Sequence, residues 1–375
     1  MHLDTTSIPS PAFVLDRERF QENLNGLAAF QRSAGVDLML ALKAFAMHHV
    51  FPMVRQVTSS AAASSLNEVL LASEFFKHVH TYLPAYSDAS FDAIAARSHA
   101  ITFNSLAQFE TYRARLQGAR AGLRVNPGYS DVSTEIYNPC RVGSRLGIPV
   151  KRLVEEGLPA GVSGLHVHNL CESGADALAQ TLTVLEAQCG ALLGGIEWLN
   201  LGGGHLITRK DYDGELAASS LRAFQERHPH LELILEPGAA FAWRAGVLVA
   251  TVLDIVETDA LPVAMLDISF SAHLPDCLEM PYTPEVRGGT VDGTGAYKYC
   301  LGGASCLAGD VVGTYSFDDA LILGQRLIFE DMMHYTMVKT NTFNGVGLPC
   351  IGEWDAGQFK LVKSFGYDDF RSRLS

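Results

Sequence analysis

Several signatures that would fix a class at once are missing from this chain. Its seven cysteines are odd in number, scattered and never spaced C-x-x-C, which argues against a disulfide framework and a structural zinc site. No apolar run reaches the length of a membrane span, because the best stretch, Ala239 to Val256, is broken by Arg244 and Asp254. Met1 to Ser10 lacks both a basic and an apolar secretory region, so a cytoplasmic protein is expected. Repeats, low-complexity tracts and long polar linkers are absent, as are a Walker loop and a G-x-G-x-x-G fingerprint. Positive charge is scarce: the net charge is −13, which disfavours nucleic acid or an anionic membrane as partner and suits a cationic substrate.

What remains is 375 residues with 48% hydrophobic and 18% charged content, enough for one large core and a smaller domain. Short apolar runs alternate with helix-period segments from about residue 12 to 245. The strand candidates are Ala12–Val14, Asp37–Leu42, Val79–Tyr82, Ala100–Thr102, Gly122–Val125, Gly164–Val167, Trp198–Leu201 and Leu231–Leu235. Between them lie amphipathic stretches such as Glu18–Gln31, Ser105–Gln117, Ala175–Gly190 and Leu216–Arg227. The rhythm predicts an α/β fold, a (β/α)8 TIM-type barrel over residues 15–245. After Gly246, β-rich runs separated by Gly, Pro and Asp predict a mostly antiparallel β domain formed by residues 1–14 plus 246–375.

Candidate chemistry falls at the expected C-terminal ends of barrel strands. In Leu40-Ala41-Leu42-Lys43-Ala44, a lysine closes an apolar run, and burial of this kind lowers an ammonium pKa so that the amine can form a Schiff base. Gly202-Gly203-Gly204 follows the run Leu199-Asn200-Leu201, a turn whose amides can converge on a phosphate. Glu236, in Leu235-Glu236-Pro237-Gly238, ends another buried run, where its charge needs a positive partner such as a protonated pyridine nitrogen. His166 and His168 lie at strand spacing and point to one side; either metal binding or stacking on a flat cofactor fits, and without a third ligand nearby no metal site is expected. The loop Gly302–Asp310 carries one thiol, Cys306, and Tyr335 lies further on.

In this order the motifs resemble the alanine-racemase-like, fold type III pyridoxal-phosphate decarboxylases, a group that includes ornithine, diaminopimelate and carboxynorspermidine decarboxylases. The likeness to carboxynorspermidine decarboxylases rests on Ala63–Glu68, Leu165–Glu172, Gly202–Thr208, Val252–Glu257, His273–Asp276 and Ser305–Asp310. The resemblance implies pyridoxal 5'-phosphate held by Lys43, with His166 stacked on its ring, Gly202, Gly203 and Gly204 around the phosphate, and Glu236 at the ring nitrogen. It implies a homodimer with shared sites, in which Cys306 and Asp310 come from the partner subunit, Cys306 as general acid, while Tyr335 approaches the phosphate. The implied reaction is decarboxylation of carboxynorspermidine or carboxyspermidine in polyamine biosynthesis, Asp276 binding the substrate's amines. An amino-acid racemase on the same fold would protonate from a tyrosine, and a non-catalytic cofactor carrier would lack the β domain.

One position departs from the pattern. The Glu-Pro-Gly turn is typically followed by arginine in ornithine and diaminopimelate decarboxylases and by glutamate in carboxynorspermidine decarboxylases; here it is Ala239. A methyl group pairs with neither a carboxylate nor an ammonium. Divergence towards a 3-amino-3-carboxypropyl group on another scaffold and an engineered substitution both account for it.

Overall fold

The computed structural model describes residues 3–280 and 282–375; the first two residues of the expected 1–14 segment lie outside the described residues. The chain divides into two units, one formed by residues 23–241 and the other by the residues up to Glu22 together with Ala242–Ser375.

The first unit is the barrel. All its strand pairings are parallel, in the order Asp37–Leu38, Glu232–Leu235, Trp198–Asn200, Val162–His166, Arg120–Asn126, Ala100–Phe103, His78–Tyr82, Ser60–Ala63, Leu40–Ala41. Asp37–Leu38 and Leu40–Ala41 are one interrupted strand, so the sheet returns to itself and eight strands make the ring. One expected barrel strand needs correction, and one barrel strand was not expected. Ala12–Val14 belongs to the other sheet, where Ala12–Asp16 pairs with Gly246–Val256 and Cys350–Asp355. The eighth barrel strand is Ser60–Ala63, which the sequence hides because alanine has little β propensity. It is a strand because buried backbone must be paired: it bonds Leu40–Ala41 on one side and His78–Tyr82 on the other.

Some barrel helices start at a side-chain cap. Ser65 Oγ accepts from the Glu68 amide at 3.1 Å and Ser105 Oγ from the Gln108 amide at 3.2 Å. The barrel interior is plugged by Trp198, which is fully buried and packs with Met39, Ala100 and Ile234. Its indole lies directly over Gly122 and Gly164; a Cβ on Gly122 would come within 2.6 Å of Trp198 Cζ2 and one on Gly164 would overlap the ring. The glycines are therefore vacancies that the tryptophan fills, and truncating Trp198 to alanine would cost about 3–5 kcal/mol.

The second unit is a sheet in the order Gly289–Val291, Val311–Phe317, Tyr297–Gly302, Val263–Leu266, Gly246–Val256, Ala12–Asp16, Cys350–Asp355, Gln358–Lys363, with Arg326–Glu330 also on Gly246–Val256. It is mostly antiparallel; Ala12–Asp16 with Cys350–Asp355 and Val263–Leu266 with Tyr297–Gly302 are the parallel pairs. An irregularity between Val252 and Asp254 lets the long strand change partners along its length. Ile8, Ala12, Val14, Val247 and Val249 form its buried core.

Candidate active site

At the C-terminal ends of the barrel strands lies a cavity of about 200 Å³ lined by Lys43, Tyr82, Arg124, His166, His168 and Glu236, among others. Lys43 follows Ala41 in a turn closed by the Ala44 and Phe45 amides on the Ala41 carbonyl. Gly238 seats against this turn so closely that a Cβ there would lie 2.9 Å from the same carbonyl oxygen.

The protonation of Lys43 follows from its neighbour. The Gly203 amide donates to His168 Nδ1 at 2.8 Å, so the hydrogen of the neutral imidazole sits on Nε2. That nitrogen is 3.2 Å from Lys43 Nζ. Two donors would face each other if Lys43 were an ammonium, whereas a neutral amine accepts the bond. Burial pushes the same way: it lowers the Lys43 pKa, Glu236 opposing and Arg124 assisting. His168 itself is held well below its ordinary range by burial, then by Lys43 and Arg124.

Glu236 is buried and its carboxyl is raised by that burial, against the bond that Asn200 Nδ2 donates to Oε1 at 2.7 Å. Its Oε2 is 3.9 Å from His166 Nε2. Among the described residues, neither ring nitrogen of the buried His166 has a hydrogen-bond partner. Arg124, a charge inside a barrel strand, stacks its guanidinium 4.7 Å from the Tyr82 ring and donates to the His168 carbonyl at 3.0 Å.

Two expected elements can be placed in detail. His168 is the imidazole that reaches Lys43, and His166, expected to stack on the cofactor ring, lies at the Glu236 end; the two rings are 6.2 Å apart and near parallel. The glycine turn is sterically demanded, because Gly202 and Gly204 have φ of +69° and +92° and a Cβ on Gly203 would lie 2.6 Å from the Glu236 carbonyl. Its amides are not all available to an anion: Gly202 donates to Asn200 Oδ1 and Gly203 to His168 Nδ1, both at 2.8 Å.

The remaining candidates lie in the sheet unit. Asp276 is buried, its Oδ2 accepting from Tyr282 at 2.7 Å and Thr336 at 2.8 Å; Oδ1 has no partner among the described residues. Asp310, the other carboxylate expected at the substrate, accepts from the backbone amides of Ser271 at 2.9 Å and Ser305 at 3.0 Å, one on each oxygen. It holds the loop that carries Cys306, which is exposed and whose amide donates to Asn344 Oδ1 at 2.7 Å. Tyr335 sits at φ +40°, an unusual backbone for a non-glycine residue. Ala239 is partly exposed in the short helix Gly238–Ala242. No group of three or more His, Cys, Asp or Glu able to hold a metal occurs among the described residues. No helix among them is long and apolar enough to cross a membrane.

Sequence reasoning missed Arg124, Asn200, His80 and Tyr82. The available signal was a polar or charged side chain inside an otherwise apolar barrel strand, which is rarely buried without a task.

A neutral buried lysine, a glycine turn and a buried carboxylate at the catalytic end of a parallel barrel define a pyridoxal-phosphate enzyme. The residues present fit that cofactor: Lys43 would hold its aldehyde carbon, the glycine turn packs closely on His168 and the Glu236 carbonyl beside it, and the buried Glu236 carboxyl would be the counter-charge for a ring nitrogen. The chain belongs to the pyridoxal-dependent decarboxylases; the family profile described as "Pyridoxal-dependent decarboxylase, C-terminal sheet domain" matches residues 13–333. It is 53% identical to a carboxyaminopropylagmatine decarboxylase from Synechocystis sp., covering 98% of this chain and 96% of that one. It is 39% identical to a carboxynorspermidine/carboxyspermidine decarboxylase from Campylobacter jejuni, with 98% of each covered. The crystal structure of carboxynorspermidine decarboxylase from Campylobacter jejuni complexed with norspermidine superposes with a TM-score of 0.90 at 37% identity, over 98% of this chain and all of that one.

Proposed function

We propose that this enzyme decarboxylates the amino-acid end of a 3-amino-3-carboxypropyl group carried on a polyamine-like cation. The observation that carries the reading is the Lys43 amine, which the Gly203–His168 bond requires to be neutral and therefore nucleophilic. Pyridoxal phosphate, when bound, supplies the electron sink for the carbanion left by CO2. The chain's own residues do the rest. Lys43 would hold and release the cofactor, His168 and His166 flank its place as neutral rings, and Glu236 keeps a negative charge opposite the ring nitrogen.

Asp276 keeps one buried oxygen for a cationic group of the substrate. Protonation after CO2 loss is assigned to Cys306 of the partner subunit, in a homodimer whose sites are shared; the exposure of this thiol on one chain supports that role. Tyr335 is assigned to the phosphate.

The Synechocystis relative's agmatine scaffold is favoured over norspermidine or spermidine, because it comes with the higher identity and because Ala239 leaves no carboxylate where the resemblance places a glutamate. The carboxynorspermidine or carboxyspermidine reading keeps the support of the second relative and of the fold match. Release of CO2 from carboxyaminopropylagmatine, carboxyspermidine and carboxynorspermidine, measured side by side, ranks the scaffolds. Failure to release CO2 from all three overturns the substrate class.

A further inference from the structure

Resting on the reading that the pocket takes pyridoxal phosphate, the question is what aims Glu236. Asn200 answers it by geometry. Its Oδ1 accepts from the Gly202 amide at 2.8 Å, which fixes the orientation of the side-chain amide. Nδ2 then faces Glu236 Oε1 at 2.7 Å and His80 Nδ1 at 3.1 Å. Because Nδ2 only donates, His80 Nδ1 must accept, and the imidazole hydrogen is on Nε2, 2.9 Å from Thr102 Oγ1. Trp198 holds the His80 ring edge-to-face at 4.8 Å. The Glu236 amide donates to the Gly202 carbonyl at 2.7 Å, closing a circuit of three bonds through Gly202, Asn200 and Glu236.

We infer that Asn200, backed by His80, is a positioning residue that turns Oε1 of Glu236 into the barrel wall, leaves Oε2 for the ring nitrogen of the cofactor, and locks that carboxylate to the glycine turn. Burial agrees with the tautomer: it pulls His80 down to about 3, so the ring stays neutral and able to accept at any working pH. Neither residue touches the reacting atoms in this scheme. Their effect passes through Glu236, so it should be specific to a ligand that has a ring nitrogen.

The test is a titration of the apo-protein at pH 8 with pyridoxal phosphate and with its 1-deaza analogue, which lacks that nitrogen, followed by absorbance. The parent protein is expected to prefer pyridoxal phosphate by tenfold or more, the range of one charge-assisted hydrogen bond. Asn200→Asp keeps the acceptor for Gly202 but sets a second carboxylate against Glu236, and the preference should fall to within about twofold. His80→Phe keeps the contact with Trp198 while removing the acceptor, and should reduce the preference severalfold; it serves as the second measurement if Asn200→Asp does not fold. A variant that weakens both ligands equally, or neither, overturns the positioning role. If the parent protein takes up neither ligand, the cofactor reading itself fails, an outcome distinct from a retained preference.

Discussion

The barrel and the sheet unit hold opposite kinds of site chemistry. In the barrel, the carboxylates Glu236 and Glu68 face Lys43, and four histidines there, His80, His166, His168 and His205, have pKa values lowered by burial. In the sheet unit the candidate carboxylates are Asp276 and Asp310, anchored by hydroxyl or amide donors, and the candidate thiol is Cys306, which is exposed. The first arrangement keeps nitrogen bases neutral in a dry site, as covalent chemistry on an amine requires. The second offers negative charge, as recognition of a cation requires. Loss of Lys43 and loss of Asp276 should therefore fail differently, one in reaction and one in recognition, although the proposed proton donor, Cys306, lies with Asp276 in the sheet unit.

The largest effect expected from breaking this division is at Lys43. Lys43→Ala should lower CO2 release by three orders of magnitude or more, about 4 kcal/mol or above in activation free energy, with every substrate alike. It should also abolish the covalent attachment of the cofactor that borohydride fixes in the loaded parent protein, read by mass spectrometry. Retention of activity within tenfold would remove Lys43 from the chemistry.

Acid should act on the barrel before the sheet unit. A histidine near pH 3 in the folded chain and near 6.5 in the unfolded one binds its proton only after unfolding across that window, so stability is lost as pH falls below about 6.5 and levels off near 3. For His80 alone the loss is roughly 2 to 3 kcal/mol by pH 4.5. His205 and His273, each lowered to about 4, add losses of the same sign, and His273 is the one in the sheet unit. Glu236, raised by burial, acts in the opposite direction through its own titration. Hydrogen exchange at pH 4.5 and 7 should show barrel strand amides losing protection first; earlier loss in Gly246–Val256 would contradict the assignment.

Asp276→Asn tests the other side. Removing the charge from the oxygen that has no partner should raise KM for a cationic substrate ten- to a hundredfold, about 1.5–3 kcal/mol, while kcat changes little. A fall in kcat with unchanged KM would move Asp276 from recognition into the chemistry.

How far these features could be read from the sequence depended on whether periodicity or tertiary pairing produced them. Strands rich in β-branched and aromatic residues, such as Val79–Tyr82 and Trp198–Leu201, announce themselves, and so do Lys43, Glu236 and the glycine triplet at their ends. Ser60–Ala63 does not, because only its two neighbours make it a strand. Ala12–Asp16 reads as a strand but not as belonging to one sheet or the other; that choice is made by partners more than two hundred residues away. The hairpin Cys350–Asp355 and Gln358–Lys363 escaped notice although Ala356 and Gly357, both at positive φ, mark its turn. Within the site, the roles of His166 and His168 were interchangeable at the level of spacing. Only the Gly203 amide, brought in from another strand, distinguishes them.

The smallest change tests whether residue 239 takes part in substrate recognition. Ala239 lies in the barrel, directly after the Glu236 turn, yet the resemblance assigns its position to the recognition that otherwise falls to Asp276. If recognition is confined to the sheet unit, Ala239→Glu should leave the ranking of substrates alone. If the position contributes, a carboxylate there gains a bond to an ammonium, and the ratio of kcat/KM for carboxynorspermidine to that for carboxyaminopropylagmatine should rise by about tenfold, close to 1.4 kcal/mol. The direction carries the information: a guanidinium is planar and takes a carboxylate in bidentate fashion, so a rise for carboxyaminopropylagmatine instead would place that group beside residue 239 in the parent enzyme too. An unchanged ratio would assign discrimination between scaffolds to groups other than residue 239, and the barrel would then be a reaction chamber indifferent to what its substrate carries.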